Sequence, residues 1–116
     1  MWHSCDDIDT ARAVASHVKG RLLPVLIQVN IADNPEQRGI HPDLLTSFAA
    51  ELSQVEGLQL AGLMGMAPKD GDKRVAFQRL RSLRDQLFDG RFAHLCMGMS
   101  NDYRIAMEEG ATIVRL

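Results

Sequence analysis

Val25-Leu26-Ile27-Gln28-Val29-Asn30-Ile31, opened by Pro24, decides the fold. The run is nearly all apolar and rich in β-branched residues. It is too short for a buried helix and fits a strand covered on both faces, the pattern of parallel sheets. Upstream, Ile8, Ala11, Ala15 and Val18 recur at three- and four-residue steps and predict a helix over Asp6–Lys19. Asp6 or Asp7 would cap it and Gly20 would stop it. Downstream, Asp33-Asn34-Pro35 and Gly39 mark a loop. A second helix is then predicted over Pro42–Val55, with Leu44, Leu45, Phe48, Ala49, Leu52 and Val55 as its apolar stripe.

The alternation continues to the end. Leu58–Met64 reads as a strand, Gly65–Asp72 as a loop, Lys73–Phe88 as a third helix and His94–Met97 as a short strand. Ser100 would cap a fourth helix reaching Glu109, and Thr112–Leu116 reads as a final strand. The order β-α-β-α-β-α-β-α-β argues for parallel strands with right-handed crossovers. Two architectures satisfy it: a small open sheet with helices on both faces, or part of an eight-stranded barrel. Trp2-His3 reads as strand with nothing before it, and the last strand stops in mid-run, so both ends look like cuts through a larger fold.

The totals bound the function. One domain fits in 116 residues, of which 46% are hydrophobic and 24% charged. Thirteen Lys and Arg against fifteen Asp and Glu leave a net charge of −2. That balance offers no electrostatic footprint for nucleic acid or for an anionic membrane. No apolar run approaches the roughly 20 residues of a membrane span. Cys5 and Cys96 make no disulfide framework, and the N-terminus shows no secretion signal, so the cytoplasm is the expected compartment.

In either architecture ligands gather at the carboxyl ends of the strands. Gly98-Met99-Ser100 is the most informative of these ends. A strand ending in glycine and followed by a helix-capping serine aims backbone N–H groups and a hydroxyl at one point, a geometry suited to phosphate. A plain helix cap is the commoner role for a single serine in this pattern. Arg115 lies in an apolar strand and would either point into a barrel mouth or snorkel at a sheet edge. Asn30 ends a buried strand and would either bond a ligand or tie down the next loop, and the pattern favours the loop role. The four histidines have no metal-ligand spacing and the cysteines no Cys-x-x-Cys pair. Met64, Met66, Met97 and Met99 read as core filler. Lys19, Lys69 and Lys73, the only lysines, sit at helix ends or in a polar loop, where nothing would desolvate an amine for covalent chemistry.

Several stretches, in order, resemble the pyridoxal phosphate homeostasis family, called YggS in bacteria and PROSC in animals. Val25–Ile31 is similar to its central strand, and Gly39-Ile40 follows at the family's spacing. Leu60-Ala61-Gly62-Leu63-Met64-Gly65-Met66-Ala67-Pro68 is similar to its GLM segment. Leu95-Cys96-Met97-Gly98-Met99-Ser100-Asn101-Asp102 resembles LSMGMS-x-D, and Ala106–Arg115 resembles the approach to VRIG. His3-Ser4 corresponds to a short HSID-like strand. The resemblance implies an alanine racemase-like barrel carrying pyridoxal 5′-phosphate at its strand ends, with a carrier role and no strong turnover. It places Met99 and Ser100 at the cofactor phosphate and Arg115 near the pyridine nitrogen.

The departures from the family pattern are equally specific. The family's Schiff-base lysine lies on a first strand like AVSK, which this sequence lacks, and the phosphate-holding IG-T-x-I-F-G segment does not follow Arg115. A loop lysine of relatives falls at Gln37. The expectation is therefore an incomplete barrel of about five strands and four helices, with half a phosphate site and no covalent anchor. Five strands cannot close an eight-stranded barrel, so its edges would invite self-association. Two rivals fail on residues. A receiver domain needs an aspartate after its third strand, where Met64-Gly65-Met66 stands, and a lysine after its fifth, where Arg115-Leu116 stands. A racemase-like enzyme needs an acid/base pair across the cofactor. Tyr103, the only tyrosine, falls on the fourth helix. The remaining rival is a folded piece with no ligand function.

Overall fold

A computed structural model describes residues 1–116. Its elements are β1 (Trp2–Cys5), α1 (Ile8–Ala15), β2 (Leu23–Gln28), a 3-10 turn (Pro42–Leu44) running into α2 (Leu45–Leu52), β3 (Leu58–Met64), α3 (Lys73–Leu87), β4 (His94–Cys96) and α4 (Tyr103–Glu108). The four strands form one sheet in the order β1-β2-β3-β4. Every pairing is parallel, with Leu26 opposite Gly62 and Met64 opposite Cys96.

The residues that make β2 apolar throughout explain its central place. Val25, Ile27 and Val29 face the helices and pack with Phe48 and Leu52 of α2 and Phe77 and Leu80 of α3. Phe77 and Leu80 are fully buried, which contributes about 2 kcal/mol apiece at ordinary apolar burial energies. Leu26, between Val25 and Ile27 in sequence, faces the other way and meets Met64 and Cys96, flanked by Ala61, Met66 and Ile113. Both faces of the sheet are therefore covered by apolar side chains. The inner face is the one that a closed barrel would enclose.

The elements are shorter than their patterns predict. α1 ends at Ala15 because Ser16 Oγ donates to the Ala13 carbonyl and the His17 ring sits on the same oxygen. Side chains that bond the last-turn carbonyls compete with further helix. Leu44 is exposed in the 3-10 turn instead of lying on the buried stripe of α2. The largest difference is the final strand, which shrinks to one bridge between Cys96 and Ile113. Thr112 causes part of this, since its hydroxyl accepts the Leu95 N–H that a longer ladder would use. No helix is long and apolar enough to cross a membrane.

Candidate functional site at the end of β4

The chain leaves β4 at Cys96 and turns at Gly98, whose φ is +102°. A β-carbon there would lie 2.6 Å from Ala106 Cβ, so only glycine allows the strand end to sit against α4. The next residues close into a turn. Asp102 N–H donates to the Met99 carbonyl at 3.1 Å, and Met99 N–H donates to Asp102 Oδ1 at 2.7 Å. Ser100 and Asn101 form the exposed tip, and the bonds that close the turn leave their N–H groups unused.

Ser100 is thus not the helix cap that the pattern predicts. The N-cap residue is Asp102, and α4 starts at Tyr103. The Asp102 carboxylate caps nothing in α4 because it is turned back onto Met99. Met99 also departs from the core-filler reading: it is exposed, whereas Met64 and Met97 are buried.

Arg115 joins this turn through its backbone, its N–H donating to the Gly98 carbonyl at 2.9 Å. Its side chain is exposed but its charge acts on the inner face of the sheet. There His3 Nδ1 lies 3.9 Å from Cys96 Sγ. Burial holds the His3 pKa below its ordinary value, and Arg115, the N-terminal amine and His94 push in the same direction. Burial raises the Cys96 thiol, with Arg115 opposing. Burial also pushes Cys5, under the helices, up to about 11, so neither thiol is poised as a nucleophile. The spacing of the histidines gives no sign of this cluster, because the groups come from opposite ends of the chain.

Other strand ends are tied into loops. Asn30 Nδ2 donates to the Asn34 and Gln37 carbonyls and its Oδ1 accepts from Ala32 N–H, the loop role expected for it. Asp6, after β1, accepts from the Arg38 guanidinium and from Gly39 N–H. A cavity of about 590 Å³ lies between the loops after β2 and β3, bordered by Asn34, Gln37, Lys69 and Asp70. It does not include Met99, Ser100 or Arg115. Lys19 and Lys69 are exposed, and Lys73 is half-buried at the start of α3, so no lysine lies on a strand.

The whole chain, residues 1–116, matches the family model described as alanine racemase, N-terminal domain, and belongs to that family. Curated relatives include the pyridoxal phosphate homeostasis protein of Mycobacterium bovis, 33% identical over 98% of this chain and 50% of its own length. The protein of the same name from Aquifex aeolicus is 38% identical over 79% of this chain and 43% of its own length. PipY of Synechococcus elongatus, solved with PLP bound, is 31% identical with a TM-score of 0.80, over 97% of this chain and 56% of that one. An alanine racemase of Clostridium difficile, 14% identical at a TM-score of 0.68 over 99% of this chain and 32% of that one, shares the fold. The resemblance read from the sequence and the incomplete alanine racemase-type barrel are both established by these matches. The chain spans about half the length of the curated relatives it matches.

Proposed function

We propose that this chain is the phosphate-holding part of a pyridoxal 5′-phosphate carrier and provides no covalent anchor of its own. One observation carries the reading: the bond from Arg115 N–H to the Gly98 carbonyl, which brings together the two segments assigned to the cofactor by resemblance. PipY, a relative solved with PLP bound, supports it.

The residues present fit one end of the cofactor. The tip at Ser100 and Asn101 has free N–H groups and a hydroxyl, donors suited to phosphate oxygens. Met99 lies exposed beside them. The covalent end is not provided, because no lysine lies on a strand. The bound cofactor supplies a pyridine ring that withdraws electrons and an aldehyde that reacts with amines. The chain's part is to hold the phosphate at Met99 and Ser100 and to set a positive charge near the ring nitrogen with Arg115. A fixed cation opposes protonation of that nitrogen. The ring is then a weaker electron sink, which suits storage and delivery over turnover. Tyr103 is engaged by Arg104 at the start of α4 and gives no acid/base partner, so we assign no catalytic role. Two buried free thiols suit a reducing compartment, and we assign the cytoplasm on that ground.

A pyridoxal 5′-phosphate titration of the purified chain, followed by equilibrium dialysis, tests the reading. Saturable binding is expected. S100A and R115A should each weaken it about tenfold, the size of one lost charge-assisted hydrogen bond. No saturable binding, or two variants that bind like the parent chain, would overturn it.

A further inference from the structure

We infer that Lys73 and Asp102 form a positioning pair that shapes the Gly98–Asn101 turn and cancels the negative charge beneath it, so that an anion can be held there. The inference rests on the phosphate reading above. Asp102 is buried, with only 7% of its side chain exposed. Its Oδ1 accepts the Met99 N–H at 2.7 Å, and its Oδ2 lies 3.7 Å from Lys73 Nζ. It stands at the N-cap of α4 yet makes no capping bond there. Lys73 is itself half-buried and donates to the Pro68 carbonyl at 3.4 Å, so the loop after β3, the start of α3 and the turn after β4 meet at one ammonium.

A buried carboxylate within hydrogen-bond contact of an anion-holding turn is a conflict of charge. Like charges repel strongly where solvent is displaced. Asp102 is useful there only because it closes the turn, leaving the Ser100 and Asn101 N–H groups to face a ligand. Lys73 removes the cost by neutralising the carboxylate from the side away from Met99. The pair thus acts through the turn and touches no ligand.

The test is an inorganic phosphate titration of the ¹⁵N-labelled full chain, followed at the Ser100 and Asn101 amides. K73M should bind phosphate about tenfold more weakly, because an unpaired carboxylate then lies beside the anion. K73R, which keeps the charge, should bind like the parent. D102N retains an oxygen for the Met99 N–H and should bind as well as the parent or better. K73M/D102N should return to within about twofold of the parent, a non-additivity that separates charge cancellation from simple scaffolding. Equal weakening by K73M and D102N, or no effect of K73M, overturns the inference. If the parent shows no saturable shift, the phosphate reading and the charge role fall together. Hydrogen exchange at Met99 then judges the positioning role alone. Exchange at least tenfold faster in D102A sustains that role, and unchanged exchange removes it.

Discussion

Arg115 and His3 stand at opposite ends of the chain, and the sheet brings their charges within reach of each other. His3 is held below its ordinary value of 6.5, first by burial and then by Arg115. A depressed histidine favours the folded state while neutral. Its contribution is complete above about 6.5 and is lost as the pH falls through the lower folded value. In R115M the His3 pKa should rise but stay below 6.5, since burial is the larger cause. An NMR titration of the His3 ring measures this, and an unchanged value would place Arg115 away from the inner face. Gly98, Met99, Ser100 and Arg115 stand out in the sequence because a motif and its spacing mark them, and the structure shows one link between them, the backbone bond from Arg115 to Gly98. His3 and Lys73 do not stand out, since each gains its role from a partner distant in sequence.

Gly62 shows how closely two elements meet. A β-carbon there would lie 2.1 Å from the His94 carbonyl oxygen, so β3 and β4 approach backbone to backbone. G62A should force them apart and destabilise the chain by about 3 kcal/mol, the upper end for overpacking. A urea melt with an unshifted midpoint would contradict this. Apolar periodicity made the order of strands and helices legible, because the core face of each element recurs at its own spacing. Element ends were not, since they turn on single side-chain bonds. Ser16 on the Ala13 carbonyl shortens α1, Thr112 on the Leu95 N–H curtails the last strand, and Asp102 on Met99 delays α4.

At the scale of the molecule, four parallel strands make an open sheet whose outer edge on one side is β1. Unpaired strand edges are templates for association. Light scattering should therefore show mass rising with concentration, and a monomer that persists at high concentration would remove the edge argument. The barrel family was legible because motifs from Val25 to Arg115 keep order and spacing, whereas the number of strands formed depends on contacts no motif records. The most direct test of the central claim, a cofactor held by its phosphate without a covalent lysine, is borohydride reduction of the chain saturated with pyridoxal 5′-phosphate, followed by intact mass. Reversible, saturable binding is expected, with no adduct that saturates at a single site. A stoichiometric adduct on Lys19, Lys69 or Lys73 would contradict it and move the site to that lysine.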